Sequence, residues 1–366
     1  MKIKFYSLKE ILKLDATYNM IFGERSNGKT YSVLEYALKN YIEKGEQLAI
    51  IRRWEEDYRG KRAHIIWDGI VANGLIEELT DGEFNDVVYR AGQWFLGIRD
   101  EKTNAWVTSD TPIAYAFALT ATEHDKSTSY PHVTTILFDE FLTRGRYLPD
   151  EFVSFMNQIS TIVRFRNNVK IFMLGNTVNK YSPYFKEMGI SHIKEMKQGD
   201  IDFYRVGESE LTIAVEWADT LNKKGKPSDK YFAFDNPKLS MITGGAWEMA
   251  IYPHIPFKYK QSDILFTYFI VFEDDILQCE IVNSDNMLFT YIHRKTTPLK
   301  NEDEDLVYTT DYSPRPNFSR KITKPRNELE RKIAKFFVED KVFYQDNEIG
   351  EIVRNYINWC ANTKIK

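Results

Sequence analysis

Only two cysteines, Cys279 and Cys360, occur in 366 residues. That is too few for a disulfide framework or a cysteine-rich zinc site, and it suits a reducing cytosol. The six histidines fall at no ligand spacing, so no metal site of their making is expected. Nothing approaches the eighteen consecutive apolar residues of a membrane span. The opening stretch, MKIKFYSLKEILKLD, lacks the long apolar run and small-residue cleavage site of a signal peptide, and reads as a short strand followed by an amphipathic helix. An excess of positive charge is also missing. The formal net charge is −4, which argues against a chain coated in nucleic acid but leaves local basic surfaces open.

What is present is enough apolar material, 43%, to exclude wholesale disorder, on a chain long enough for two domains. Residues 23 to 30 read GERSNGKT, a match to G-x-x-x-x-G-K-[ST]. A random chain of this length matches about once in 100, so context has to decide. Upstream lies ATYNMIF, of strand type. Downstream, Val33, Ala37 and Tyr41 repeat at helical spacing before Gly45, where a helix stop belongs. Strand, glycine loop and helix together are the setting of a phosphate-binding P-loop. Gly23, Glu24, Arg25, Ser26, Asn27, Gly28, Lys29 and Thr30 form the candidate ATP-binding segment. Its glycines would let backbone N–H groups face the phosphates. Lys29 would reach the β- and γ-phosphates, and the Thr30 hydroxyl would ligate Mg²⁺.

An acidic pair after a second buried strand completes the expectation. In VTTILFDEF, residues 133 to 141, Asp139 would hold Mg²⁺ and Glu140 would polarise the attacking water. VKIFMLGNT, residues 169 to 177, places Asn176 at the edge of a third strand, where an amide can sense the γ-phosphate or cap a helix. QLAIIRRW and IAYAFALT read as further strands, and DVVYRAGQWFLGIRD as a hairpin insertion. Strands alternating with helices predict a parallel, three-layer α/β core. A catalytic Glu directly after the magnesium Asp suggests the additional-strand, catalytic-glutamate group of P-loop NTPases. Cations acting in trans on the γ-phosphate are sought in TIVRFRNNVK. There Arg166 and Arg164 would share one face of a strand, with salt-bridged surface arginines as the equal alternative. Lys126, in EHDKSTSYPH, is a further candidate.

The loop with its early Arg25, then ILFDEF, then RFRNNV before a strand ending LGNT, resembles the DNA-packaging ATPases of phi29-like bacteriophages over roughly residues 15 to 190. The resemblance implies a Walker A pair, Lys29 and Thr30, a Walker B pair, Asp139 and Glu140, and Lys126 and Arg166 as the trans-acting groups. It also implies a motor that drives double-stranded DNA into a procapsid. Such a motor works as a homo-oligomeric ring, a pentamer, docked on the portal (connector) protein and a structural packaging RNA. Its place is the host cytoplasm, at the portal vertex, with no membrane involved. The alternative is a P-loop switch that binds nucleotide without translocation.

The expected organisation is an ATPase domain over residues 1–203, a linker subdomain over 204–234 containing a short amphipathic helix, and a smaller α+β domain over 235–366. By resemblance to large terminases, which carry an RNase H-like nuclease after their ATPase, the last is expected to be a vestigial RNase H-like nuclease domain. DILFTYFIVFEDDILQCEIVN predicts a β-hairpin with Glu273, Asp274 and Asp275 at its turn, and its first strand carries no acid for a two-metal site. Nuclease activity is therefore expected to be absent. Residues 313 to 335 hold eight Lys or Arg against two Glu. Arg320, Lys321, Lys324 and Arg326 are the candidate phosphate contacts there, and Arg59, Lys61 and Arg62 form a second candidate loop, one that could line a pore.

Overall fold

The computed structural model describes residues 5–121, 128–177, 179–219, 250–301 and 303–362, and the chain divides into two units, Met1–Glu248 and Met249–Lys366. In the first unit the apolar runs become the strands β1 (Tyr18–Gly23), β2 (Gln47–Arg52), β6 (Ala114–Ala118), β7 (Val133–Asp139) and β8 (Lys170–Asn176). The hairpin insertion is β3 (Asp86–Arg90) and β4 (Gln93–Arg99), with β5 (Trp106–Thr108) paired to β4. Two further strands, β9 (Ile201–Arg205) and β10 (Thr212–Trp217), complete the sheet. Its order is β3-β4-β6-β2-β7-β8-β1-β10-β9. From β6 to β10 every neighbouring pair is parallel.

Both faces of this sheet are covered, which is why its strands are apolar at nearly every position. Met20, Phe22, Ile136, Phe138 and Met173 point into one core together with Phe155, Ile159 and Ile162 of α2 (Glu151–Val163). The residues between them, Ile21, Leu137, Phe172 and Leu174, point into the other core with Val33, Leu34 and Ala37 of α1 (Lys29–Lys44). Gly45 ends α1 at φ +70°, and its N–H donates to Tyr41 O over 2.8 Å.

The C-terminal limit of this unit differs from the expectation. The sequence makes residues 204–217 the start of an expected linker with an amphipathic helix. Instead Thr212–Trp217 is a strand running parallel to β1, with Tyr18 opposite Ile213 and Phe22 opposite Trp217. TIAVEW is β-branched and aromatic, and its fit beside β1 overrides the helical reading. The remainder of the expected linker lies outside the described residues.

The second unit is built on a six-stranded sheet of order β15-β14-β11-β12-β13-β16. β11 (Ile264–Phe272), β12 (Asp275–Ser284) and β13 (Met287–Arg294) form an antiparallel meander. β14 (Val307–Thr309) runs parallel to β11, β15 (Phe318–Ser319) to β14, and β16 (Val342–Tyr344) to β13. Helices α3 (Glu328–Val338) and α4 (Asn347–Asn362) follow. Tyr356 of α4 meets Phe272 of β11 with ring centroids 6.1 Å apart. The hairpin is as expected, but Asp275 is not a free turn acid. It opens β12, is buried, and pairs with Arg294. No described helix is long and apolar enough to cross a membrane.

Candidate functional site

β1 delivers its last residue, Gly23, to the sheet edge, and the chain then winds over the start of α1. Gly28, at φ +94°, occupies the left-handed region that favours glycine. A side chain there would also come within 3.3 Å of Phe5. Lys29 is folded back into the loop. Its Nζ donates to Glu24 O over 2.7 Å and to Asn27 Oδ1 over 3.0 Å. Burial pushes its pKa down to about 8, against the opposing pull of Asp139 and Glu24. Asn27 is itself buried, and its Nδ2 makes no hydrogen bond among the described residues.

The acidic pair stands two strands away, because β8 lies between β1 and β7. Asp139 nevertheless reaches the loop. Its Oδ1 accepts from Thr30 Oγ1 at 3.3 Å, while Oδ2 accepts from Arg52 Nη2 at 2.6 Å. Arg52 was missed in the sequence. It ends β2, the neighbour of β7, and its only signal is the polar RR that closes the run QLAII. Glu140 follows in the left-handed region at φ +61°, with its side chain exposed. Arg53, also unforeseen, is buried behind it.

These tips enclose one cleft of about 850 Å³, lined by Arg25 through Thr30, Arg52, Asp139, Glu140 and Asn176. Gly23 and Glu24 are not among its lining residues: Glu24 is buried, and the Gly23 carbonyl accepts from Thr177 N at 3.2 Å. Arg62 and Arg144 also line the cleft. Arg62 therefore faces the loop and the acidic pair, whereas Arg59 is an exposed partner of Glu55 and Lys61 precedes a short helix.

The arginines of TIVRFRNNVK are not on a strand. α2 ends at Val163, Arg164 caps it and with Phe165 adopts the left-handed conformation, and β8 begins only at Lys170. Arg166 therefore turns back over the helix end. Its guanidinium donates to the carbonyls of Val163, Ile162, Tyr130, Pro131 and Val133. Such a group is committed to its own chain. Arg164 lies at the surface, with Nη2 on Thr128 O at 2.8 Å, beside a fully exposed Phe165. Lys126 lies outside the described residues.

In the second unit Arg326 forms a fork on Glu330, at 2.9 Å from Nε and 2.7 Å from Nη2, and donates to Phe318 O. Arg320 lies 3.7 Å over the Tyr312 ring and 5.1 Å from that of Trp359. Lys324 is exposed and Lys321 half-buried.

The family model of the Podovirus DNA encapsidation protein (Gp16) matches residues 1–198. The chain belongs to this family. Curated relatives named DNA packaging protein include that of Bacillus phage phi29, 28% identical over 187 residues, which are 50% of each chain. That of Bacillus phage B103 is 30% identical over 183 residues, 49% of this chain and 50% of the relative. The chain thus spans about half the length of the curated relatives it matches. Two solved structures share the fold over nearly the full length. The Phi-28 gp11 DNA packaging motor superposes with a TM-score of 0.54 at 20% identity, covering 100% of this chain and 99% of that one. The bacteriophage Phi-29 viral genome packaging motor assembly gives 0.55 at 20% identity, covering 96% of each.

Proposed function

We propose that the chain is a P-loop ATPase of the additional-strand, catalytic-glutamate kind, whose hydrolysis drives double-stranded DNA into a phage procapsid. The observation that carries this reading is the meeting of Thr30 and Asp139 across the intervening strand β8, in one cleft with Lys29 and Glu140. Membership of an encapsidation family and the packaging motors among its structural neighbours support the coupling to DNA.

The donor set fits the expected ligands. A hydroxyl and a carboxylate oxygen 3.3 Å apart are hard donors suited to Mg²⁺. Bound there by Thr30 and Asp139, the metal would neutralise phosphate charge. The left-handed turn at Gly28 and the unpartnered Asn27 Nδ2 suit a phosphate chain. Lys29 contributes a cation that already sits among loop oxygens, ready to exchange them for phosphate oxygens. Glu140, at the rim and exposed, orients a water and accepts its proton. Asn176 positions that water or senses the γ-phosphate. Of the two arginines, Arg164 is the better trans candidate, because Arg166 donates to five carbonyls of its own chain.

The second unit is read as an RNase H-like domain without nuclease activity. Supporting this are the three-strand meander with a parallel neighbour on its first strand, and the lack of an acid in β11. Docking on the portal protein and a structural RNA, and assembly as a pentameric ring at the portal vertex, remain part of the same proposal.

Turnover of ATP by the purified chain tests it. Glu140→Gln should keep nucleotide binding and lose hydrolysis. A switch without translocation is the second reading, favoured by the internal engagement of Arg166. It predicts that DNA leaves turnover unchanged and that Arg164→Ala and Lys29→Ala chains do not rescue one another when mixed.

A further inference from the structure

We infer that Arg53 is the positioning residue of the catalytic glutamate: it holds the backbone turn that aims Glu140. The inference rests on the role of Glu140 proposed above. At φ +61° Glu140 occupies a conformation that a residue bearing a Cβ keeps only where its surroundings over-determine it. Arg53 supplies that determination. Its Nη1 donates to Glu140 O at 3.2 Å and its Nη2 to Phe141 O at 2.9 Å, so one guanidinium grips the carbonyls of the strained residue and of the next. On the far side, Phe141 N donates to Leu174 O over 3.0 Å.

The gripping group is itself immobilised. Arg53 Nε and Nη2 meet the two oxygens of Glu151 at 2.8 and 2.9 Å, and the two side chains are 8% and 0% exposed. Glu151 accepts two more hydrogen bonds, from Tyr184 OH at 2.8 Å and Leu148 N at 2.7 Å, and the Tyr147 ring covers Arg53 at 5.3 Å. Stability alone would be served as well by apolar side chains of similar size. What stability does not explain is that two of the three remaining donors go to the two carbonyls at the catalytic turn. A planar fork with several fixed donors can hold two carbonyls and a carboxylate together. A lysine ammonium, a point charge on a flexible stem, cannot.

Four forms of the full chain test the assignment: wild type, Arg53→Lys, Glu140→Gln and the double variant. Each is measured for kcat and KM with ATP, for Kd with ATPγS and for Tm. A residue acting through Glu140 should show a kcat lowered on the order of 10–100-fold in Arg53→Lys, as small misplacements of catalytic groups do, with ATPγS affinity within about two-fold. The double variant should be no slower than Glu140→Gln alone, because the two substitutions disable the same step. A wild-type kcat in Arg53→Lys would overturn the inference. So would a further ten-fold loss in the double variant, or a loss that appears equally in ATPγS affinity. Should Arg53→Lys fail to fold, Glu151→Gln carries the same expectation, since an amide can still accept from Tyr184 or Leu148 while its grip on Arg53 loosens. A dead Glu140→Gln with an unaffected Arg53→Lys refutes the positioning role alone. A fully active Glu140→Gln refutes the reading of Glu140 and the inference with it.

Discussion

At the tips of β1, β2, β7 and β8, charged side chains face one another across a cleft. In the basic stretch of residues 313 to 335, Arg320 and Arg326 are engaged by backbone carbonyls, neighbouring rings and Glu330. Lys29, Thr30, Arg52 and Asp139 are gathered from two strand ends and one helix start into a single volume. Arg326 is consumed by Glu330 and Phe318 O, and Arg320 donates to Thr310 O at 2.9 Å between Tyr312 and Trp359. A motif with fixed spacing constrains the backbone, so its side chains arrive where the chemistry needs them. A cluster of like charges constrains nothing, and folding recruits its members as struts.

The largest effect should come from the cleft. Glu140→Gln is expected to lower kcat by roughly 10²–10⁴-fold while ATPγS still binds, read by phosphate release and calorimetry. An unchanged rate would make the cleft no more catalytic than the basic stretch. Next, Arg326→Ala should act as a stability mutation. It strands the buried Glu330 but starts from an arginine that is 43% exposed, so about 2 kcal/mol is expected by urea unfolding. The salt slope of nucleic-acid binding should barely move. Lost affinity at unchanged stability would return Arg326 to the phosphate contacts.

A third test sits in the first unit, away from the acidic pair. Burial pushes the Glu216 carboxyl from 4.5 up to about 7, while Tyr6 OH donates to it over 2.5 Å. The native chain then holds a proton that the unfolded chain has released. Stability should therefore fall as pH rises from about 4.5 to 7 and level off above. Glu216→Gln should remove that slope, worth on the order of 3 kcal/mol, in pH-dependent thermal melts. A slope that persists in the variant would assign it to other groups. The smallest effect is expected at exposed Lys324. Lys324→Ala should leave stability within about 0.5 kcal/mol and lower the salt slope of nucleic-acid binding by about 1.

Much of the site was legible because two short patterns carry their own geometry. GERSNGKT between a strand and a helix and DEF after an apolar run each announce a backbone conformation, and the parallel sheet brings both ends to one edge. Arg52 and Arg53 were not legible, since their roles depend on which strand lies beside β7, a long-range fact. β10 was misread for the same reason: its place beside β1 lies far along the chain from its partner. Arg166 departs from the expected strand face because two left-handed residues, Arg164 and Phe165, end a helix there, a turn that the pattern RFR does not announce.

Calorimetric titration of the full chain with Mg²⁺ and ATPγS tests the central claim most directly, comparing wild type with Lys29→Ala and Asp139→Asn. The account predicts one nucleotide per chain in the wild type, loss of binding in Lys29→Ala, and binding that no longer responds to Mg²⁺ in Asp139→Asn. Equal, metal-dependent uptake by all three proteins would contradict it.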